Sequence, residues 1–173
     1  QGYQGAAVGL GLCYQYGSGT VPNPERAAQL YRSAAEEGDS LGQQNLAELY
    51  LSGTGVEQSA AEALHWYLES ARQGNVQSML QAGKLLVHGA EGVPKNRDEA
   101  IHWYQSAVEA GCRKPDVLWT CARLCYSRGT PEDREQAVRL CRELLERTRR
   151  RDLRQKAQEL LRQAGDQEEP SGE

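Results

Sequence analysis

Apolar side chains recur along this chain at helical spacing, in stripes about a dozen residues long, and glycines punctuate the stripes. Leu46 to Gly74 predicts a complete helix–turn–helix. Leu46, Leu49 and Tyr50 close a first stripe, Gly53 and Gly55 break the chain, and Ala63, Trp66, Tyr67 and Ala71 build a second stripe that ends at Gly74. The same order stands thirty-six residues earlier as Tyr14, Gly17, Gly19, Ala27, Tyr31, Ala35 and Gly38. Thirty-seven residues after the second stripe stand Ala100, Trp103, Tyr104 and Gly111. A helix–turn–helix unit repeated at a fixed period predicts an all-α chain, an α-solenoid of antiparallel helix pairs in which each pair buries its stripe against its neighbours.

The register divides residues 1–165 into one solenoid with units at about 5–39, 40–75, 76–111 and 112–147 and a capping helix at 148–165. In the first unit Ala6, Leu10, Gly11, Cys13 and Tyr14 share one side of a helix, and Pro24 and Glu25 suit the first turn of the next. In the second unit Gly42, Leu46, Ala47, Leu49 and Tyr50 repeat those positions, and Ser59 with Glu62 reads as an N-cap and capping-box pair. The third unit repeats them as Ser78, Ala82, Gly83, Leu85 and Leu86; its turn, Gly89 to Pro94, carries one extra residue. The fourth unit diverges: Cys112 to Asp116 inserts about three residues, and aligning Gly89 with Gly129 matches Ala82 to Ala122, Leu85 to Cys125 and Leu86 to Tyr126. Leu153, Ala157, Leu160, Leu161 and Ala164 give the last helix one apolar stripe under a charged face, as a terminal cap needs. Residues 1–4 are expected to fray or to continue a preceding helix, and residues 166–173, rich in acidic residues with Gly, Pro and Ser, to be disordered.

Composition narrows the function classes. The chain has no Phe and a formal net charge of −4, which gives no general affinity for nucleic acid. Mean hydropathy is −0.72, low for one closed core and natural for stacked helix pairs. No run has the length of a membrane span. Because Gln1 comes first, the chain reads as a processed mature form, periplasmic or secreted, or as a piece of a longer chain; otherwise a cytoplasmic location is expected. Of the five cysteines, Cys13 sits at a core register position. Cys121 and Cys141 lie at similar distances from the turn near Gly129 and are a possible disulfide pair. Cys121 and Cys125 are four apart on one helical face, but no further ligand completes a zinc set.

The residues that repeat resemble the Sel1-like repeat, a relative of the tetratricopeptide repeat. The pattern A-x-x-x-L-G-x-x-Y-x-x-G-x-G followed by A-x-x-W/L-Y-x-x-A-A-x-x-G stands here as Ala6, Leu10, Gly11, Tyr14, Gly17, Gly19, Ala27, Tyr31, Ala34, Ala35 and Gly38. It recurs from Gly42 to Gly74, and again from Gly83 to Gly111 with Leu86 in place of the first-helix Tyr. The resemblance implies a right-handed superhelix that serves as an adaptor or scaffold and binds a protein partner. It also implies a second role, an immunity or inhibitor protein that occludes a toxic enzyme. A third reading, independent of the resemblance, is an enzyme such as a hydrolase of cell-wall material, against which the missing nucleophile motifs count. A cysteine-rich branch of the family carries a disulfide in each repeat; this chain lacks a cysteine pair in every repeat, so that bonding is not transferred.

Candidate chemistry dissolves into packing. His65-Trp66-Tyr67 and His102-Trp103-Tyr104 combine acid–base side chains, but they stand one repeat apart, so the two sets do not converge. Tyr14, Tyr50, Trp66, Tyr67, Trp103 and Tyr104 are therefore read as structural. There is no Gly-x-Ser-x-Gly and no Ser-x-x-Lys, and the glycine pairs follow helices rather than strands, unlike phosphate loops. No catalysis, cofactor or metal is expected. Arg147 to Arg154 is the one basic run, a solvated helix end or a dock for an acidic partner. The partner surface is expected on the concave face, at the outward positions of the first helices: Leu12 and Gln15; Asn45, Glu48 and Leu51; Gln81, Lys84, Val87 and His88; Leu124 and Arg128.

Overall fold

The computed structural model describes residues 4–165. The expected frayed start and disordered tail lie outside them, apart from Gln4, which begins a helix. Among the described residues nine helices follow one another: α1 (Gln4–Tyr16), α2 (Pro24–Glu36), α3 (Ser40–Ser52), α4 (Ala60–Arg72), α5 (Val76–His88), α6 (Arg97–Glu109), α7 (Pro115–Arg128), α8 (Pro131–Arg147) and α9 (Arg151–Gln163). The fold class is the α-solenoid that the period predicts. Within it the chain divides into two compact units, the first reaching Trp103 and the second starting at Tyr104, inside α6.

The turns are built from the repeated sequence. The residue that caps each second helix donates its own N–H to the end of the first helix: Asn23 to the Tyr14 carbonyl at 2.8 Å, Ser59 to Tyr50 at 2.9 Å, and Asn96 to Leu86 at 2.9 Å. The extra residue of the third turn leaves this bond intact. It is taken up by a small loop in which Ala90 and Val93 exchange both backbone hydrogen bonds at 2.9 Å. Ser59 caps α4 through Oγ, 3.2 Å from the Glu62 N–H. The reciprocal half of the expected capping box does not form, because the Ser59 N–H is already given to Tyr50.

Within the first unit, α2 packs between α1 and α3, and α4 between α3 and α5. Tyr31 is fully buried with Ala27, Ala34, Ala35, Leu46 and Leu49. The approach of α2 to α3 is so close that a Cβ on Gly42 would stand 2.7 Å from that of Ala34. The equivalents of Gly42, Leu46 and Leu49 on α1 are Ala6, Leu10 and Cys13. Leu10 is 48% exposed where Leu46 is 0%, and Cys13, expected in the core, is half-buried. The reason is that no helix precedes α1 among the described residues to cover that face.

In the second unit α7 packs on α8 and α9, and α9 on both. Leu153, Ala157, Leu160 and Leu161 are the buried stripe of α9. All five cysteines are free thiols, and the Cys121–Cys141 pairing that the sequence left open is not formed. The Cys121 thiol is instead hydrogen-bonded to Cys125 one turn along its own helix, which together with burial pushes its pKa up.

Candidate functional site

The first helices of the first unit place the expected surface residues as follows. Leu12, Lys84 and His88 are exposed, and Gln15, Asn45, Glu48, Leu51, Gln81 and Val87 are half-buried. Glu48 is positioned by a polar ladder: Asn75 Nδ2 donates to Gln44 Oε1 at 2.9 Å, and Gln44 Nε2 donates to Glu48 Oε1 at 3.1 Å. The Tyr31 hydroxyl donates to Gln15 Oε1 at 2.7 Å. Tyr67, its counterpart one repeat later, is fully buried and its hydroxyl has no partner. Position 51 supplies the difference: Leu51 stands where the first repeat has Gln15. Burial above all, with the Glu48 carboxylate adding to it, raises the pKa of both phenols, so neither acts as an acid or base near neutrality.

The structural aromatics divide. Tyr67, Trp103 and Tyr104 are buried, while Tyr14, Tyr50 and Trp66 are half-buried. Tyr14 and Tyr50 instead hold arginines over their rings, Arg26 and Arg32, each 5.9 Å from the centroid, and Arg32 also donates to the Tyr50 hydroxyl at 2.8 Å. His65 and His102 sit edge-on to Trp66 and Trp103 in matching geometry, with centroids 5.0 Å apart. Each His-Trp-Tyr set thus repeats one packing arrangement rather than contributing to a shared site. Among the described residues no group of three or more His, Cys, Asp or Glu is placed to hold a metal ion, and no helix is long and apolar enough to cross a membrane.

The second unit departs from the expected surface. Leu124 is 1% exposed: α7 is packed on by both α8 and α9, and this apolar side chain enters that core where the charged Lys84 of the earlier repeat stays outside. Arg128 is held in a fork by Asp133, at 2.5 Å on both oxygens, and Thr130 Oγ1 adds a bond at 2.9 Å. Those bonds, Arg128 first, hold the Asp133 carboxyl below the usual carboxylate range.

What α7 presents outward is Trp119, Arg123 and Tyr126. With Asp152, Lys156, Glu159 and Leu160 of α9 they line a groove of about 530 Å³ whose walls are mainly apolar. Trp119 and Tyr126 are half-buried, Leu160 lies at the floor, and the charged residues are exposed at the rim. An open apolar floor with a few charges at its edge can seat an apolar side chain and orient the chain that carries it. Carrying the repeat register across the insertion at Cys112–Asp116 missed this set. The periodicity of α7 itself holds the signal: Val117, Leu118, Cys121, Ala122, Leu124 and Cys125 are its buried face, which leaves Trp119, Arg123 and Tyr126 pointing elsewhere.

Helix pairs of fixed period that expose side chains on their first helices define a helical-repeat protein. The chain belongs to the Sel1 repeat family: the family's model matches residues 5–39, 40–75, 76–112, 120–147 and 148–168. Members are typically protein–protein interaction modules. The last match makes the capping helix the first helix of a fifth repeat. The chain is similar to the crystal structure of a Sel1 repeat protein from Oxalobacter formigenes, at 32% identity over 83% of this chain and 58% of that one, with a TM-score of 0.74. It also matches c5321, a protective antigen of uropathogenic Escherichia coli, at 27% identity over 95% of this chain and 46% of that one, with a TM-score of 0.46. An F-box protein of Arabidopsis thaliana is 42% identical over 66 residues, which is 38% of this chain and 18% of that protein. The chain thus spans about half of those solved structures and less of the F-box protein.

Proposed function

We propose that the chain is a non-catalytic adaptor whose first helices form the docking surface, and that the α7–α9 groove seats an apolar anchor residue from a peptide segment of its protein partner. The observation that carries this reading is the half-buried pair Trp119 and Tyr126 over Leu160, rimmed by Arg123, Lys156, Asp152 and Glu159. Aromatic side chains in an open, mostly apolar groove are the kind of group that dominates binding energy at interfaces. The mixed rim favours a partner with a charge of each sign beside its anchor. The exposed and half-buried residues of α1, α3 and α5, from Leu12 to His88, offer a separate surface on the first unit. Family membership supports the general role, and the missing nucleophile constellation supports the non-catalytic part.

The test is affinity capture with the wild-type chain, with Trp119→Ala/Tyr126→Ala, and with Arg139→Glu on α8. Proteins that bind through the groove are retained by wild type and the α8 variant. Their affinity for the double variant falls by roughly thirtyfold or more, the consequence of losing about 2 kcal/mol at a hot spot. Equal capture by all three folded proteins sinks the groove reading.

A further inference from the structure

We propose that the outer face of α9 is a second docking site, one that takes an acidic segment of a partner protein bearing a run of Asp or Glu side chains. A cavity of about 500 Å³ opens there, lined by Arg149, Arg151, Arg154, Gln155 and Gln158. Gly129 and Gly165 follow the ends of α7 and α9, and both take left-handed backbone angles, φ 84° and 79°. With those glycines matched, Arg154 and Gln158 occupy the positions of Leu118 and Ala122, which are fully buried in α7. An exposed helix face needs polar residues at such positions, and any polar mixture would serve. This face has three guanidinium groups, two amides and no carboxylate.

The neighbouring arginines are already engaged. Arg113 and Arg147 pair with Glu143, and Arg162 pairs with Glu159. Arg150 forks onto Asp116 at 2.9 Å and also reaches Asp152. Arg149 and Arg151 have no acidic partner among the described residues. Arg154 is anchored at the floor: Nη1 donates to the Leu145 carbonyl and, at 3.1 Å, to that of Thr148. The turn before α9 is fixed as well, since Thr148 is buried and its hydroxyl accepts the Arg150 N–H at 3.2 Å. Positive charge is therefore presented on a backbone that needs little ordering, which lowers the cost of binding. Guanidinium groups match carboxylates in forked pairs, and the glutamine amides can donate to peptide carbonyls. A nucleic acid fits less well. The chain carries a net charge of −4, and Asp152 and Glu159 line the adjacent groove on the same helix.

A fluorescein-labelled hexaglutamate peptide titrated into the full chain by fluorescence anisotropy tests this. Salt-sensitive binding is expected, weakened about tenfold or more in Arg149→Glu/Arg151→Glu, as loss of charge-assisted pairs requires. Arg134→Glu on α8 should bind like wild type. Circular dichroism checks folding, and Arg149→Gln/Arg151→Gln replaces the reversal variant if the latter loses helix. Four results overturn the proposal: no binding to wild type; equal affinity in the arginine variants; binding of oligouridylate, sensitive to those variants, in place of hexaglutamate; or binding only after deletion of residues 166–173, whose acidic side chains would then be the occupant.

Discussion

Tyr31 and Tyr67 occupy one register position in successive repeats and differ in one respect: the Tyr31 hydroxyl reaches Gln15 at 2.7 Å, and the Tyr67 hydroxyl is buried without a partner. Deleting each hydroxyl should therefore change stability in opposite directions. Tyr31→Phe removes a hydrogen bond whose net worth is about 0.5–1.5 kcal/mol. Tyr67→Phe removes a buried, unsatisfied hydroxyl, whose desolvation costs about 1–3 kcal/mol, and should stabilise by a comparable amount. The two variants should thus differ by about 1.5–4.5 kcal/mol, and at roughly 2–4 °C per kcal/mol for a chain of this length the gap in Tm is easily resolved. Urea and thermal melts followed by circular dichroism measure it. A second substitution probes the cause. Leu51→Gln places an acceptor where the first repeat has Gln15, so in that background Tyr67→Phe should become destabilising. If Tyr67→Phe lowers stability as much as Tyr31→Phe, or if Leu51→Gln does not change the sign, the accounting of these two hydroxyls is wrong.

Other positions make equally direct tests. Gly42→Ala puts a Cβ 2.7 Å from that of Ala34 and 3.0 Å from the Ala35 nitrogen, so it should cost about 1–3 kcal/mol in a denaturant melt; Gly9→Ala meets nothing within 4 Å and should gain up to about 1 kcal/mol from helix propensity. Trp103→Ala should destabilise by about 3–5 kcal/mol, and Trp66→Ala by clearly less, because Trp66 is only half-buried. Arg128 holds the Asp133 carboxyl below its usual range, so the stability this pair supplies is complete above about pH 4, the unfolded carboxyl value, and is lost as pH falls through the lower folded value; Asp133→Asn should be less stable near neutrality and should lack that acid-side loss in melts across pH. Iodoacetamide under native conditions should label the half-buried Cys13 and Cys112 first, while the buried Cys121, Cys125 and Cys141 react only on unfolding, Cys141 having its thiol pushed up to about 12 by burial.

The period made the architecture legible. Glycines after helices, a cap such as Ser59, and the Ala and Tyr positions of α2 and α4 each follow from local geometry that any copy must satisfy. Even the extra residue of the third turn could be placed, since an insertion at a turn leaves the capping residue free to keep its bond to Leu86. Register was less informative where neighbours differ. Leu10 repeats Leu46, yet exposure depends on whether a preceding helix covers it. Leu124 follows Lys84 in register, but the packing of α7 on α8 and α9 buries it, and the exposed face became Trp119, Arg123 and Tyr126. Cys121 and Cys141 lie at matching distances from a turn, which fixes their height along two helices but not whether their sulfurs face each other. The missing partner of Tyr67 was visible in principle as Leu51 beneath Gln15, once the Tyr31 hydroxyl was known to reach that position.

Hydrogen exchange of the chain alone and with its captured partner tests the central claim most directly. A binding module that docks its partner on the first helices should gain protection in α7 and α9, while the amides of α8 keep their free-state rates. Protection confined to α8, or none in α7 and α9 at saturating partner, would contradict the account.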